Sequence, residues 1–343
     1  MKIRVLAAFL LISSALWAKT ESKPSYPIGN VPFTSVKVTP DSFWGERIRQ
    51  SREVTIPLAF SKCEETDRYT NFEHAAAKMA ETARGDGSSN YRPTQFPFDD
   101  TDVYKTIEGA SYLLQTYPDK KLETYIDSVL DIVAAAQEPD GYLTTCVTNK
   151  CTRLSGWWGT HRWEKINSHE LYNCGHLYEA AVAHFRATGK RSLLNVAIKN
   201  ADLVCQVFGE GEGQIHRPGG HPIVEMALAK LYKVTGNEKY LQQARYFVEE
   251  TGRCTDGHAP SEYSQDHMPI LQQQEIVGHA VRAGYLYSGV ADVAALTNDT
   301  ASYHALERIW QNVADCKLYI TGGIGSSGTL ERFTTDFDLP NDT

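Results

Sequence analysis

The 343-residue sequence predicts an all-α protein built from helical hairpins. Apolar residues recur at a spacing of three to four through long segments, and strand patterns are nearly absent apart from short runs such as Leu318-Tyr319-Ile320. A unit of helix, short turn and helix recurs at a spacing of roughly 50 residues. Such units either stack into an open solenoid or close into a toroid of inner and outer helices.

Four hairpins are clear from the pattern. They are predicted at 103–117 with 122–137, 170–187 with 193–208, 223–234 with 240–250, and 275–296 with 303–317. Gly189, Gly236 and Asn298 follow the first helix of three copies, and Pro118 follows that of the fourth; both kinds of residue are helix stop signals. Two further helices are expected at 43–60 and 72–83. Long polar loops, rich in Gly and aromatic residues, separate the hairpins and are the expected carriers of function.

The N-terminus has the order of a secretory signal peptide. A basic start at Lys2 and Arg4 precedes an unbroken apolar or small run from Val5 to Ala18, which is too short for a permanent membrane span. We therefore expect an exported protein, periplasmic or secreted, with a signal peptide at 1–18, an N-terminal extension at 19–33 and one domain at 34–343. No membrane span is expected in the remainder.

Charge argues against nucleic acid as a partner. The formal net charge is −8, and it becomes −10 when Lys2 and Arg4 leave with the signal peptide. A negative balance without any Lys/Arg run repels phosphate backbones. The seven cysteines contain no Cys-x-x-Cys pair, so no metal site is predicted from their spacing, and a local disulfide between Cys146 and Cys151 is left open.

Histidines stand at matching places in successive hairpins. His169 opens one hairpin, His221 the next, and His279 lies near the start of the third. An acidic cluster, Asp99-Asp100-Thr101-Asp102, opens the earliest hairpin, and Glu331 lies in the loop after the last. Equivalent positions in a closed ring share one end, so we expect these groups to converge there. For Asp102, helix capping is as good an explanation as ligand contact.

Aromatic residues suggest a sugar ligand. The chain has 18 tyrosines, and Trp157, Trp158 and Trp163 cluster in one loop. Aromatic faces beside neutral polar groups suit the C–H faces and hydroxyls of sugars, although these tryptophans are as well explained by packing of the loop. A glycosidase also needs a carboxylic acid to protonate the leaving oxygen, a role that Glu331 fits; no second group is evident from the pattern.

Several motifs resemble those of glycoside hydrolase family 127, the bacterial β-L-arabinofuranosidases formerly grouped as a family of unknown function. The resemblance covers essentially the whole mature chain. The matching stretches are Phe98-Asp99-Asp100-Thr101-Asp102-Val103-Tyr104-Lys105, His169-Glu170-Leu171-Tyr172, Gly175-His176, Gly220-His221-Pro222, Gly278-His279-Ala280-Val281-Arg282-Ala283-Gly284-Tyr285-Leu286, Thr321-Gly322-Gly323-Ile324-Gly325-Ser326 and Asp336-Phe337-Asp338-Leu339-Pro340-Asn341-Asp342-Thr343.

The resemblance implies an (α/α)6 barrel and an exo-acting, retaining β-L-arabinofuranosidase. It further implies that His169, His221 and His279 hold the arabinofuranose, and that Glu331 is the general acid/base; Leu330 stands where relatives often have glycine. The expected ligand is a plant-derived oligosaccharide or glycopeptide. Relatives continue into Glu-Thr-Cys and Cys-Cys-Pro segments, which supply zinc ligands and a cysteine nucleophile. No complete zinc site is therefore expected in this chain, and the barrel is expected to be incomplete and inactive as it stands.

Two other functions remain open at the level of sequence. One is a related hydrolase of the same family that acts on another sugar of plant pectin. The other is a non-catalytic, sugar-binding helical toroid.

Overall fold

The computed structural model describes residues 31–84 and 95–341. The predicted signal peptide, and all but the last residues of the predicted N-terminal extension, lie outside the described residues. The α-helices are α1 Phe43–Gln50, α2 Ile56–Glu65, α3 Arg68–Arg84, α4 Asp100–Thr116, α5 Lys120–Ala135, α6 Thr145–Thr148, α7 Ser155–Trp158, α8 Glu170–Thr188, α9 Ser192–Val207, α10 Val224–Thr235, α11 Glu238–Glu250, α12 Ala280–Thr297 and α13 Thr300–Asn312. The prediction of an all-α fold is confirmed, since the described residues contain isolated β-bridges but no strand.

The four predicted hairpins are α4–α5, α8–α9, α10–α11 and α12–α13, and they form two layers. The first helices pack against one another in chain order, α4 on α8, α8 on α10 and α10 on α12. The second helices form the other layer, in which α5 contacts α9 and α9 contacts α11. The first layer, α4, α8, α10 and α12, is called the inner layer below. None of the described helices is long and apolar enough to cross a bilayer.

Local sequence fixes both ends of each turn within a hairpin. The inner helices α8, α10 and α12 end at Gly189, Gly236 and Asn298, all of them in the left-handed conformation that the stop signals predict. The next helices begin at short polar side chains: Asn237 and Asp299 accept hydrogen bonds from the first free backbone N–H groups of α11 and α13. Each turn therefore needs only two or three residues, which forces the two helices to lie antiparallel.

The inner helices approach closely because small residues face their neighbours. A Cβ at Gly175 in α8 would lie 2.6 Å from Ile223 Cγ2 and 2.9 Å from the backbone nitrogen of Val224 at the start of α10. A Cβ at Gly289 in α12 would lie 2.8 Å from Glu225 Cβ. These contacts let α8 and α12 pack closely against the first turn of α10 from both sides.

Several boundaries differ from the predictions; α3, for example, begins at Arg68 and not at 72. The helix predicted from 275 begins instead at Ala280, because His279 caps it with its own side chain. The helix predicted at 43–60 is interrupted by a π-helical turn, Ser51–Thr55, and the predicted 303–317 ends in a second one, Val313–Lys317. The short apolar run 318–320 forms no strand. Cys146 and Cys151 are both buried, and the backbone N–H of Cys151 donates to the carbonyl of Cys146 at 3.0 Å.

Candidate active site

Three loops enter the inner helices side by side, and each carries one of the predicted histidines. His169 directly precedes α8, His221 lies three residues before α10, and His279 directly precedes α12. The ring centroids of His169 and His221 are 5.6 Å apart, and those of His221 and His279 are 5.9 Å apart. The structure therefore arranges the histidines in a row, with His221 in the middle.

A cavity of about 1030 Å³ opens over this row. All four predicted site residues line it, together with aromatic and polar neighbours. The lining residues are Phe98, Gly156, Trp157, Lys165, Ile166, Asn167, His169, Tyr172, His221, Tyr263, His279, Val281, Arg282 and Glu331. This volume lies at the upper end of the range for ligand pockets in proteins, roughly 300 to 1,000 Å³.

Backbone contacts fix which imidazole nitrogen carries the proton. His169 Nδ1 lies 2.9 Å from the carbonyl of Asn167, and His221 Nδ1 lies 3.0 Å from the carbonyl of Pro222. A carbonyl only accepts, so Nδ1 of both rings is the donor and Nε2 is left as an acceptor towards a ligand. His279 is reversed. Its Nδ1 accepts from the backbone N–H groups of Val281 and Arg282, so its Nε2–H is a donor.

All three imidazoles are neutral at neutral pH. Burial, followed by the charge of Arg282, lowers the pKa of His169 to about 4 and that of His221 to about 2. Burial also lowers the pKa of His279, against the opposing effect of Glu331. The row is thus uncharged: His169 and His221 present free acceptors that suit sugar hydroxyls, and His279 directs its donor to Glu331.

Glu331 stands at the His279 end of the row. Its Oε2 accepts a hydrogen bond from His279 Nε2 at 2.8 Å, while 72% of the side chain remains exposed towards the cavity and solvent. The loop that carries Glu331 is held against the loop of His279, because the N–H of Phe333 donates to the carbonyl of Gly278 at 2.9 Å. Leu330 adopts φ +61°, a left-handed conformation that glycine adopts without strain and that leucine adopts rarely.

Aromatic rings enclose the opposite end of the row. Phe98 and Trp157 lie 4.9 and 5.6 Å from the ring of His169, and Tyr172 lies 4.4 Å from that of His221. Trp157 is 43% exposed and lines the cavity, whereas Trp158 and Trp163 are buried and pack the loop. Packing therefore accounts for Trp158 and Trp163, while Trp157 is the member of the cluster that lines the cavity.

The predicted convergence of the acidic cluster on this site is wrong. Asp99 and Asp100 are buried, and Asp100 accepts from both the N–H and the hydroxyl of Thr145 at 2.8 and 2.5 Å. Asp102 pairs with Arg68 at 2.8 Å. These carboxylates are needed to satisfy buried donors and a neighbouring cation at the start of α4, so none of them lines the cavity.

The sequence interpretation missed Asn167, Tyr172, Tyr263 and Arg282, which all line the cavity. For two of them a signal was available. Tyr172 and Arg282 follow His169 and His279 by three residues, and residues three apart on a helix share a face. No comparable spacing marks Tyr263, which reaches the site from a long loop.

The described residues do not fit a zinc site at this cavity. Zinc in proteins is held by Cys, His and carboxylate side chains at about 2.0–2.3 Å, usually four together. The cavity lining contains no cysteine, and its one carboxylate, Glu331, is already hydrogen-bonded to His279. Within the described part of the chain, no three His, Cys, Asp or Glu residues are grouped as metal ligands. We therefore derive no chemical step through zinc.

The loop that carries Tyr263 is held by a histidine between two carboxylates. His258 donates through Nδ1 to Asp256 and through Nε2 to Asp266 Oδ2, the latter at 2.9 Å. Asp266 also accepts from the N–H of Ser261 at 2.7 Å. The carbonyl of Tyr263 in turn accepts from the N–H of His279 at 3.1 Å. The His258 cluster thus supports the wall of the cavity beside His279.

This cluster should make stability depend on pH. Burial disfavours the charged imidazole of His258, but its bonds to Asp256 and Asp266 prevail and raise its pKa above the ordinary value. A raised folded-state pKa stabilises below the unfolded pKa of about 6.5, and that contribution is lost as pH rises through the folded pKa. We expect His258→Gln to lower the urea midpoint more at pH 6 than at pH 9. His304→Gln, at an exposed pair with Glu307, is the control; a loss that grows towards pH 9 would contradict this interpretation.

These features define a class: an all-α protein of consecutive helical hairpins with a polar, aromatic-walled cavity where its inner helices begin. The chain belongs to the family described as β-L-arabinofuranosidase, GH127 catalytic domain, whose model matches residues 35–343. The family resemblance found in the motifs, and the helical toroid class that it implies, are confirmed.

Relatives of known activity or structure share much of this chain. It is 41% identical over 266 residues to the non-reducing end β-L-arabinofuranosidase of Bifidobacterium longum subsp. longum, covering 72% of this chain and 40% of that protein. A solved GH127 β-arabinofuranosidase is 55% identical with a TM-score of 0.86, covering 93% of this chain and 49% of that one. The GH127 β-L-arabinofuranosidase of Geobacillus stearothermophilus T6 is 40% identical with a TM-score of 0.78, covering 88% and 49%. The chain thus spans less than half the length of each of these relatives.

Proposed function

We propose that the protein acts on terminal β-L-arabinofuranosides, with the arabinofuranose ring lying over the histidine row. The observation that carries this proposal is the row itself: three neutral imidazoles with defined donors and acceptors, closed at one end by a carboxyl group. The curated relative is a non-reducing end β-L-arabinofuranosidase, which supports this glycone and an exo mode of action.

Glu331 is assigned the proton transfers. It is the carboxyl group at the cavity, and its bond from His279 orients it while leaving its other oxygen open to the cavity. In a retaining reaction its protonated form delivers a proton to the leaving oxygen, and its ionised form then removes one from water. His169 and His221 accept from sugar hydroxyls through Nε2. The described lining contains no cysteine, so we assign to this chain glycone binding and proton transfer only.

We also propose that the protein is exported and meets its ligand, a plant-derived oligosaccharide or glycopeptide, outside the cytoplasm. The ordered N-terminal pattern of basic residues, apolar run and small residues supports export. N-terminal sequencing of the protein from periplasmic and medium fractions should find a chain that begins just after Ala18. A chain that retains Lys2 would contradict it.

Ligand preference tests the proposal directly. Saturation-transfer NMR with methyl β-L-arabinofuranoside should show binding that the α anomer and methyl β-D-xylopyranoside do not compete away. This binding and its preference should be unaltered in His304→Gln, whose side chain is exposed on α13. Equal binding of both anomers, or preference for another glycone, would overturn the assignment.

A further inference from the structure

Arg282 is a buried cation without a carboxylate partner. Its side chain is on the first turn of α12 and only 3% of the residue is exposed. Its guanidinium lies 5.0 Å from the ring of Tyr263, and Nε is buried without a hydrogen-bond partner. Within the described ranges, no carboxylate lies at ion-pair distance from it; Asp266 attracts its charge from further away. Burial of an unpaired charge is costly. Such a residue calls for an explanation beyond packing.

Hydrogen bonds of Arg282 lead to each of the three histidines. Its Nη2 donates to Asn167 Oδ1 at 3.4 Å, and the carbonyl of Asn167 accepts from His169. Its Nη1 donates to the carbonyl of Gly220, next to His221, at 3.2 Å. Its own backbone N–H donates to Nδ1 of His279 at 3.3 Å. One residue therefore contacts all three loops that form the row.

The two loops that Arg282 contacts also touch each other through their backbones. Gly220 has φ +75°, and a Cβ there would lie 2.0 Å from the carbonyl oxygen of Ile166. The loop of His221 thus rests directly on the loop of His169, and Arg282 bridges both from α12. A shift of the guanidinium would move the two acceptor imidazoles relative to the donor.

The charge of Arg282 acts on the same imidazoles. A cation next to a neutral imidazole disfavours a second positive charge, and after burial it is the largest cause of the lowered pKa of His169 and of His221. Glu331 opposes it at His279 alone. Asp266 is the carboxylate that acts on Arg282 itself. The other titratable groups lie on the walls of the row: Tyr172, Tyr263, Lys165, and behind Tyr172 also Lys105 and Tyr285.

We propose that Arg282 is a positioning residue for the glycone. Its hydrogen bonds hold the loops of His169 and His221 in register with His279. Its positive charge adds to burial in disfavouring a second cation in the row, in which two imidazoles accept and one donates. The identity of the ligand rests on the proposed function, but the arrangement of protons on the three rings does not.

Histidine-labelled NMR tests this on the whole chain without any sugar. In the wild type, ¹⁵N shifts should show the Nδ1–H form for His169 and His221 and the Nε2–H form for His279; single His→Gln variants assign the signals. In Arg282→Gln, the titration midpoints of His169 and His221 should rise by about one pH unit, as expected when a cation within several Å is removed. Arg282→Lys keeps the charge, so its midpoints should stay at the wild-type values.

Binding separates the positional effect from the electrostatic one. Arg282→Lys loses the paired donors to Asn167 and Gly220, so we expect methyl β-L-arabinofuranoside to bind about tenfold more weakly at an unchanged pH dependence. Asn167→Ala removes one acceptor only, leaves the charge in place and should weaken binding without moving the midpoint of His221.

Wild-type midpoints and tautomers in a folded Arg282→Gln protein would overturn the electrostatic part. Wild-type affinity in both Arg282→Lys and Asn167→Ala would overturn the positional part. If Arg282→Gln does not fold, Arg282→Lys provides the test instead. Raised titration midpoints of His169 and His221 in Arg282→Lys would contradict the proposal. If only the comparison of sugars in the binding test failed, the proposed ligand would be wrong, but the NMR result for Arg282 would still hold.

Discussion

Glu331→Gln should weaken the binding of a pyrrolidine iminosugar with the L-arabinofuranose configuration by roughly 10- to 100-fold, the range for loss of a charge-assisted hydrogen bond. The ring nitrogen of such a compound is protonated at neutral pH and mimics the positive charge of the glycosyl transition state. The Glu331 carboxylate is the anion that lines the cavity beside the donor His279, so the cation should pair with it. The affinity for neutral methyl β-L-arabinofuranoside should fall less than threefold, since Gln keeps an acceptor for His279. Isothermal titration of both ligands measures the difference.

A matched control for this variant exists on α13. Glu307 accepts from His304 Nδ1 at 2.9 Å in a pair like that of Glu331 and His279, but the pair is exposed on the surface. Glu307→Gln should change neither affinity. If Glu331→Gln weakened both ligands equally, the carboxylate would be a general binding group rather than the partner of developing charge. That result would remove Glu331 from the acid/base role.

The hairpins were predictable because their signals are local. Each inner helix ends where glycine or asparagine adopts a left-handed conformation, and each following helix begins a few residues later at its cap. Such choices depend on a few neighbouring residues, so the pattern alone places them. The start of α12 was placed five residues early, because apolar spacing continues from 275 while the cap is an imidazole, a group that simple capping preferences do not rank.

The histidine row was predictable from the repeat, but its surroundings were not. Matching positions in successive hairpins place His169, His221 and His279 at one end of the inner layer whatever the details of packing. The acidic residues before α4 looked equally promising in the sequence. Their direction is decided by Arg68 and Thr145, which come from distant parts of the chain.

The role of Arg282 could not be predicted from the sequence either, because it depends on contacts between distant parts of the chain. An arginine in the first turn of a helix is ordinary in sequence and is most often exposed. Its contacts with Gly220 and Asn167 span 62 and 115 residues of chain, so no local pattern announces them. The tautomers of the three rings likewise depend on carbonyls that only the folded loops bring near.

His221 lies at the centre of the row, so its loss should affect the neutral sugar most. Its Nδ1 donates to the carbonyl of Pro222, which leaves Nε2 as an acceptor for a sugar hydroxyl. In His221→Phe the ring is kept, but the hydroxyl meets no acceptor, and an unsatisfied buried polar group costs about 1–3 kcal/mol. We expect methyl β-L-arabinofuranoside to bind roughly 5- to 150-fold more weakly by saturation-transfer or calorimetric titration. His221→Gln retains an acceptor near Nε2 and should recover part of the affinity; equal loss in both variants would show that shape, not hydrogen bonding, is what His221 provides.

The pH dependence of the same binding follows from the lowered pKa values of the row. Because the pKa of His169 is about 4 and that of His221 about 2, both rings keep Nε2 free of a proton from pH 8 down to pH 5, so neither ring should change the affinity in that range. Below about pH 4, protonation of His169 turns its acceptor into a donor, and affinity should fall. His169→Gln cannot titrate, so it should bind more weakly at pH 7 but lose the fall that His169 causes near pH 4. Affinity that drops already between pH 7 and pH 6 in the wild type, and not in His169→Gln, would mean that His169 carries an ordinary pKa. The neutral row would then be wrong at its first member.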